Sequence, residues 1–357
     1  MTPPPIPRQD IRKVFVRAPN WLGDVIMATP AFARIRSFFA PAEIVCGIKK
    51  VHASVLAGSK SFDRYLFLEK ARGWRQTLAQ ARRLRAEGFD AVVLFPNSFS
   101  SAFVCVLAGI RIRIGYVRGR RPLISHGVLQ ASDKRRFWQR RGPRRKPVPM
   151  VDYWFAMLDA VGMPRVGPHP ILLIRPEEEA AAARAFAALG IGDDDRVVLF
   201  GPTASFGPSK LWTNDRWAEL ARRLVALRPE IRVLVQCGPG EEETARRIVA
   251  LADSASVRAT IPPIPLDAMK PFTRRAALFV TTDSGPRHLA VAFDVPHVVL
   301  MGPTHPDYTS RVVEFATVLR HDVDCGPCHL PICPEDHRCM TQISVDEVFA
   351  ASRAWLE

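Results

Sequence analysis

The strongest candidate for ligand chemistry is a polar turn that joins an apolar strand to a helix. Residues 278–280 are apolar and favour a buried parallel strand, which ends where Asp283, Ser284 and Gly285 follow. Pro286 suits a first helical turn because its missing N–H has no partner there. Free N–H groups at such a helix start bind anions, at the edge where doubly wound sheets bind ligands. Many α/β turns carry this tripeptide without a ligand, so an anion site and a plain turn both stay open.

Asp24 is the second candidate, because it lies in the turn between a predicted strand and a predicted helix. It ends the turn 18–24, which follows a predicted strand at 13–17 and precedes a predicted helix. A carboxylate there either caps the helix N-terminus or acts as a general base. Gly23 beside it allows a tight turn or the close approach of a ligand.

Lys210 closes a loop of small and hydroxyl residues, 201–210, after a predicted strand. The spacing of the glycines and the lysine does not match the P-loop pattern. Such a loop can still hold phosphate, with Lys210 as a point charge and Thr203 and Ser205 as donors. An ordinary surface lysine is the alternative.

Glu241 opens a run of three glutamates after a predicted strand at 231–235. A carboxylate in this position can bind ribose hydroxyls. Acidic residues at a helix start also complement the helix dipole. The dipole interpretation is slightly favoured on the residues alone.

Four cysteines near the C-terminus, Cys325, Cys328, Cys333 and Cys339, form a weak candidate metal site. A C-x-x-C pair followed by two further cysteines can bind zinc, although the spacing is shorter than in two-knuckle zinc sites. A packed or disulfide-capable loop is the alternative. The chain has seven cysteines, and an odd number argues against a pure disulfide framework.

Strand and helix patterns alternate along the chain, which predicts an α/β fold with parallel sheets covered by helices on both faces. Pro30 falls inside the first helical pattern and predicts either a kink or the true start of that helix. The predicted strands are 13–17, 42–48, 91–95, 111–116, 196–200, 231–235, 278–280 and 298–302. The predicted helices are 25–39, 74–87, 101–109, 151–160, 177–189, 212–227 and 345–356.

The 357 residues, 48% of them hydrophobic, suffice for two domains with large cores. Glycines and prolines after residue 162 predict a linker, so we expect the boundary near 165–175. The Pro-rich N-terminus lacks the apolar segment of a signal peptide, and no run reaches the roughly 18 apolar residues that a spanning helix needs. We therefore expect a cytosolic protein whose membrane contact is peripheral.

The charge of the chain predicts anionic partners, because its net charge is +15 and its pI is about 10.1. Basic residues concentrate between 111 and 146, where Asp133 is the one acid. Prolines and glycines there predict a loop. It is a solvated loop, a docking surface for an acidic glycolipid or membrane, or a nucleic-acid surface. The last interpretation lacks an accompanying reader motif.

Five motifs together resemble glycosyltransferase family 9 and, within it, the lipopolysaccharide heptosyltransferase II group. The resemblance runs from about residue 13 to 350. The motifs are Asn20-Trp-Leu-Gly-Asp24, Phe206-Gly-Pro-Ser-Lys210 with Trp212, Thr282-Asp-Ser-Gly285 with His288, Gly302-Pro-Thr-His-Pro-Asp307, and Cys325-x-x-Cys328 through Cys339-Met340.

This resemblance implies a GT-B fold, in which two Rossmann-like parallel-sheet domains face a central cleft. We expect an acceptor-binding domain at 1–168, a nucleotide-sugar-binding domain at 169–344 and a closing helix at 345–357. The implied enzyme is an inverting glycosyltransferase that moves a heptose from ADP-heptose to the inner core of lipopolysaccharide. No cofactor or catalytic metal is expected, and a structural zinc stays possible.

The resemblance also implies roles for single residues. Asp24 would deprotonate the acceptor hydroxyl, and Lys210 would neutralise the departing diphosphate. Asp283 would bind sugar hydroxyls, with Glu241 as the ribose candidate. The other expected donor-side residues are Thr203, Ser205, Ser284, Gly285 and His288. The expected acceptor-side residues are Gly23, Asn97, Arg118, Arg120 and Arg121.

The acceptor implied by the resemblance is an anionic glycolipid, which gives the basic stretch a purpose. We further expect a monomer at the cytoplasmic face of the inner membrane, with no nucleic-acid partner. One alternative is a GT-B transferase that uses another nucleotide sugar or acceptor. The other is a basic nucleic-acid-binding or zinc-binding module in which the sheet is only a scaffold.

Overall fold

A computed structural model of the protein describes residues 5–69, 71, 73–117, 119–129, 142 and 146–357. These residues divide into two compact units. The first unit contains the described residues up to 129 together with Val148–Leu173. The second contains Ile174–Glu357 and the described residues 142, 146 and 147. The division after Leu173 falls inside the linker region expected near 165–175, a few residues beyond the predicted domain end at 168.

Short apolar runs form the strands of the first unit, because the side chains of a parallel sheet are buried on both faces. Its strands are β1 Lys13–Arg17, β2 Glu43–Ile48, β3 Arg64–Phe67, β4 Ala91–Leu94, β5 Ile112–Tyr116 and β6 His126–Val128. Within the described residues, they pair in parallel in the order β3-β2-β1-β4-β5-β6.

Helices connect these strands, and a proline sets the start of one of them. They are α1 Leu22–Met27, α2 Thr29–Phe39, α3 Lys50–Ala53, α4 Gly73–Glu87, α5 Phe99–Leu107 and α6 Met150–Asp159. The predicted helix 25–39 is in fact two helices, since α1 ends at Met27 and Pro30 lies in the first turn of α2. A proline is tolerated there because the N–H it lacks would have no helical partner.

The second unit repeats the same scheme. Its strands are β7 Arg196–Gly201, β8 Ile231–Val235, β9 Val257–Ala259, β10 Leu278–Thr282, β11 His297–Leu300 and β12 Ala316–Leu319. Its helices are α7 Pro176–Ala188, α8 Asn214–Val225, α9 Glu242–Ala252, α10 Leu266–Arg274, α11 Arg287–Ala292, α12 Arg338–Thr341 and α13 Val345–Leu356. The described strands are parallel, in the order β12-β11-β10-β7-β8-β9.

Both sheets therefore have the Rossmann strand order 3-2-1-4-5-6 when each is numbered from its own first strand. The order reverses between β1 and β4 in the first unit and between β7 and β10 in the second. Ligands of such sheets bind outside the carboxyl ends of the strands at this reversal, the switch point. The α/β prediction with two Rossmann-like sheets is thereby confirmed.

Ion pairs that include a buried charge link helices in both units. In the first, Arg34 of α2 is fully buried and donates to Asp159 of α6. In the second, Lys270 of α10 lies 2.9 Å from Glu178 of α7, and both side chains are buried. Burial lowers the pKa of Lys270, and Glu178 opposes that effect.

Sequence patterns missed the short elements at the sheet edges. These are β3, β6, β9 and β12, each of three or four residues. The loop predicted over 111–146 is wrong for 126–128, which form β6. Helix α10 was missed because Pro271 lies inside it, and an internal proline normally ends a helical pattern.

Candidate functional site

The loop after β1 places Asp24 at the switch point of the first unit. The N-cap of α1 is Trp21, so Asp24 is a first-turn residue and the capping interpretation is wrong. Its side chain is partly exposed, and Gly23 beside it is buried. A carboxylate in a first turn is stabilised by the positive end of the helix. Asp24 thus lies at the carboxyl edge of the first sheet, where ligands of such sheets bind.

The loop after β4 lies on the other side of the same switch point and carries Asn97. Asn97 is exposed; its amide donates to the Tyr153 hydroxyl at 2.6 Å and accepts from Arg120 at 3.1 Å. Arg120 also donates to the backbone carbonyls of Pro96 at 2.9 Å and Ser98 at 3.1 Å. These bonds fix the loop that presents Asn97.

Arg120 corrects one expectation from the sequence. It was assigned to an acceptor-side basic surface, but the side chain is 1% exposed and its guanidinium is bound to the loop backbone. Burial lowers its pKa. Arg121, by contrast, is exposed on a 3-10 turn. Arg118, with most of the basic stretch beyond 129, lies outside the described residues.

The switch point of the second unit holds a cluster of charges around Asp283, which follows β10. Lys210, 7% exposed, places its ammonium 2.6 Å from the Asp283 carboxylate and 2.6 Å from its backbone carbonyl. Arg287 donates to the other carboxylate oxygen at 3.0 Å, and Thr304 donates to the first at 2.6 Å. Two cations and one carboxylate leave this cluster with one net positive charge.

The electrostatics of the cluster favour its ionised form. Burial alone would raise the pKa of Asp283, but the charges of Lys210 and Arg287 and the hydrogen bonds from Lys210 and Thr304 outweigh it and hold the pKa well below its usual range. The pKa of His288 is also lowered, but for a histidine this favours the neutral form. Its burial and the neighbouring charge of Arg287 lower its pKa, so the imidazole is neutral at pH 7. His288 can therefore offer a hydrogen bond to a phosphate but no positive charge.

Sequence reasoning missed Arg287 and Thr304 as members of this cluster. Thr304 lies inside one of the motifs quoted above, without an assigned role. Arg287 stands four residues after Asp283, and an Asp and Arg at that spacing across a turn were a usable signal. The Nε of Arg287 is buried and has no hydrogen-bond partner among the described residues.

The loop after β7 and the loop after β8 are joined by Thr203 and Glu241. The Thr203 hydroxyl donates to Glu241 at 2.6 Å, and the Gly238 N–H donates to the same oxygen at 2.8 Å. Glu241 is the N-cap residue of α9, and the first turn contains Glu242 and Glu243. Ser205 is exposed. Ser284 lies between β10 and α11, with its hydroxyl 3.4 Å from that of Thr281.

The C-terminal cysteines line one small cavity together with Ser209 and His337. All four thiols are free. Burial, followed by the neighbouring thiols, raises the pKa of Cys339 to about 11. Within the described residues, no three His, Cys, Asp or Glu side chains converge in a metal-binding arrangement.

Comparison with known proteins identifies the family. The model of glycosyltransferase family 9 (heptosyltransferase) matches residues 77–338. A protein of Escherichia coli K12 named lipopolysaccharide heptosyltransferase 2 is 26% identical over 319 residues, covering 86% of this chain and 88% of its own. A Campylobacter jejuni protein named lipooligosaccharide heptosyltransferase 2 is 23% identical over 352 residues, covering 97% and 98%.

Solved structures confirm the GT-B fold. The E. coli ADP-heptose LPS heptosyltransferase II superposes with a TM-score of 0.75 at 22% identity, covering 96% of this chain and 98% of its own. A glycosyltransferase family 9 protein of Veillonella parvula gives a TM-score of 0.79 at 21% identity, covering 97% of each chain. Among the helices of the described part, none has the length and apolar character needed to span a bilayer.

Proposed function

Since the chain belongs to glycosyltransferase family 9, we propose that it transfers a heptose from ADP-heptose to the inner core of lipopolysaccharide. The relatives named lipopolysaccharide and lipooligosaccharide heptosyltransferase 2 support this donor and this class of acceptor. They cover most of the chain, which includes both sheets.

The observation that carries the proposal is the charge cluster at the second switch point. Displacement at an anomeric carbon builds negative charge on the leaving diphosphate, and fixed positive groups in a water-poor site stabilise that charge. Lys210 and Arg287 supply two cations against the single carboxylate of Asp283. In this proposal the diphosphate of the donor shares Lys210 with Asp283, and Arg287 adds a second fixed positive charge beside Asp283.

Asp24 takes the proton in the proposed reaction. The acceptor hydroxyl oxygen attacks the anomeric carbon from the face opposite the diphosphate, and its proton passes to the Asp24 carboxylate. The bond from the anomeric carbon to the phosphate oxygen breaks with its electron pair, and ADP leaves. One displacement of this kind inverts the anomeric configuration. The chain uses its own side chains as base and counter-charge, so the proposal needs no cofactor.

The remaining donor-side and acceptor-side assignments follow the same division. Thr203, Ser205, Glu241, Ser284, Gly285 and His288 are proposed to contact the nucleotide and diphosphate. Gly23, Asn97 and Arg121 are proposed to contact the acceptor, with Arg120 holding the loop that carries Asn97. Asp283 is proposed to position Lys210 in addition to binding sugar hydroxyls.

We also propose that the chain works as a monomer on an anionic membrane, at the cytoplasmic face of the inner membrane. In the first unit, exposed apolar side chains follow the ends of five strands, β1, β2, β3, β4 and β6, and the carboxyl ends of parallel strands share one edge. They are Trp21 (57% exposed), Val51 (61%), Trp74 (69%), Phe99 (57%) and Leu129 (74%). Lys49, Lys50 and Arg75 stand beside them, and such a mixture of aromatic and basic groups suits an anionic bilayer surface.

A donor screen tests the proposed activity. The protein is incubated with a core-oligosaccharide acceptor and either ADP-heptose or UDP-, GDP- and CDP-sugars, and the released nucleoside diphosphate is measured. We expect release from ADP-heptose only when the acceptor is present. Release from another nucleotide sugar would instead show a GT-B transferase with a different donor.

Lys210→Ala tests the role of the cluster in the same assay. We expect kcat to fall by roughly 10² to 10³, the usual effect of removing one preorganised charge-stabilising group. Lys60→Ala, which removes an exposed lysine of the first unit, is the matched control and should leave kcat unchanged. Wild-type turnover by Lys210→Ala would remove Lys210 from the mechanism.

A further inference from the structure

The segment 330–343, here called the bracing segment, holds the residue next to Lys210. Ser209 is buried and meets the bracing segment in three hydrogen bonds. Its hydroxyl donates to the Leu330 carbonyl at 2.6 Å, and its N–H donates to the Pro331 carbonyl at 3.1 Å. The His337 Nε2 donates to the Ser209 carbonyl at 2.7 Å. Every backbone and side-chain polar group of Ser209 is thus bound to the bracing segment.

The backbone of Gly207, just before the 3-10 turn that contains Ser209, also packs closely against the bracing segment. Gly207 has a φ of +143°, and a Cβ built on it would lie 2.4 Å from the Pro331 carbonyl oxygen. Only glycine allows the two backbones to approach this closely. The path of the 3-10 turn Pro208–Lys210 is therefore set by the bracing segment.

A second anchor lies just after Lys210. The Trp212 indole donates to the Ile343 carbonyl at 3.0 Å, and Arg216 of α8 donates to the Thr341 carbonyl at 2.7 Å. Lys210 thus sits between two residues, Ser209 and Trp212, that the same segment holds. A lysine ammonium ends a flexible four-carbon stem, so fixing its Cα from both sides narrows the positions that the charge can reach.

We propose that His337 is a positioning residue for Lys210 and acts through the Ser209 carbonyl. The inference rests on the proposed role of Lys210 as counter-charge to the diphosphate. His337 is the one brace on Ser209 made by a side chain of the bracing segment among the described contacts. Its backbone carbonyl also accepts from Met340 and Thr341, so it couples the start of α12 to the lysine turn.

Two substitutions separate the hydrogen bond from general packing. His337→Ala removes the donor, and we expect kcat to fall between roughly tenfold and a hundredfold, as for a small misplacement of a charge-stabilising group. KM for ADP-heptose should change less, because charge on the diphosphate develops mainly in the transition state. His337→Gln retains an N–H at similar reach and should restore most of kcat.

His321→Ala is the matched control. His321 lies in the same unit, and its Nε2 makes a comparable contact with Glu347 of α13 at 2.9 Å, outside the bracing segment. We expect this variant to keep wild-type kcat. Thermal unfolding and ADP titration of each variant show whether the fold and the nucleotide site persist. If His337→Ala does not fold, His337→Phe, which keeps a ring of similar size but has no donor for the Ser209 carbonyl, takes its place.

A double-mutant cycle with Lys210→Ala tests whether His337 acts through Lys210. If His337 acts through Lys210, the variant that combines His337→Ala with Lys210→Ala should turn over as slowly as Lys210→Ala alone. Multiplied effects, or a His337→Ala kcat equal to that of His321→Ala, would overturn the positioning role while leaving the proposed function intact. Wild-type turnover by Lys210→Ala would overturn the counter-charge role and His337 with it.

Discussion

The loops after β1 and β4 in the first unit and those after β7 and β10 in the second occupy equivalent places in the same strand order. In the first pair, Asp24 is partly exposed and Asn97 is exposed. In the second pair, Lys210 and Arg287 are buried, and both pair with Asp283, whose side chain is 11% exposed. One backbone topology thus carries a partly exposed carboxylate in one unit and a carboxylate paired with two buried cations in the other.

The difference follows from what each proposed role requires. A proton acceptor has to meet a hydroxyl that arrives from solvent, so partial exposure is useful. A counter-charge for diphosphate acts more strongly in a water-poor site, where its interactions are less screened. Buried charges are costly unless paired and hydrogen-bonded, and Asp283 supplies that pairing before a ligand arrives.

The largest expected effect comes from Asp24→Asn, which keeps the shape and removes the base. We expect kcat to fall by roughly 10² to 10⁴, the range of general acid–base catalysis, with ADP affinity largely retained. ADP release and calorimetric ADP titration measure the two quantities. Asp10→Asn, at an exposed carboxylate of the same unit, is the control. Surviving turnover would show that Asp24 is not the base.

Asp283→Asn probes the enclosed network and should act first on stability. It leaves Lys210 and Arg287 buried without their carboxylate, so we expect the free energy of unfolding to fall by about 3–5 kcal/mol. Asp24→Asn should lose less, because the Asp283 carboxylate pairs with two buried cations. Guanidinium unfolding of both variants measures the contrast. Equal losses would mean that the two switch points hold charge in the same way.

The second unit should also respond to pH through His297 of β11. Burial, followed by the charge of Arg287, lowers its pKa from 6.5 to about 4. Above pH 6.5 the imidazole is neutral in both folded and unfolded chains. As the pH falls from about 6.5 to 4, the unfolded chain gains a proton that the folded chain does not, so up to about 3 kcal/mol of stability is lost.

His297→Gln removes this titration. Its free energy of unfolding should therefore depend less on pH between 6.5 and 4 than that of the wild type. Urea unfolding at half-unit pH intervals gives both curves. Parallel curves would show that His297 does not carry the pH dependence.

The smallest expected effect concerns the exposed edge of the first unit. Trp74→Ser removes an exposed apolar ring, and we expect binding to vesicles of anionic lipid to weaken on the order of tenfold, from the loss of buried apolar area. Ile332→Ser, at an exposed apolar residue of the second unit, is the control and should bind as the wild type does. Equal binding by all three proteins would remove Trp74 from the membrane surface.

Local sequence was sufficient to predict the inner strands and the candidate site residues that follow them. The strand predicted at 231–235 has the same bounds in the structure, and the one predicted at 91–95 ends one residue earlier. Both are central parallel strands, which are apolar because they are buried on both faces. Helix α13 was predicted at its observed bounds, and its capping box at Ser344 and Glu347 explains the sharp start. Asp24, Lys210 and Asp283 could be predicted as site candidates because polar residues that follow buried parallel strands lie at the ligand edge of a sheet.

The long-range ion pairs and hydrogen bonds could be read only from the tertiary structure. The Lys210–Asp283 pair spans 73 residues of sequence and the His337–Ser209 bond spans 128, so no local pattern encodes either. The burial of Arg120 and the short edge strand β6 likewise depend on neighbours brought in by the fold. Periodicity and turn chemistry act over a few residues. These contacts form only when the fold of each unit brings distant loops of the chain together. Local sequence patterns therefore predict the sheets and the candidate site residues, whereas packing sets which charges are buried, paired and braced.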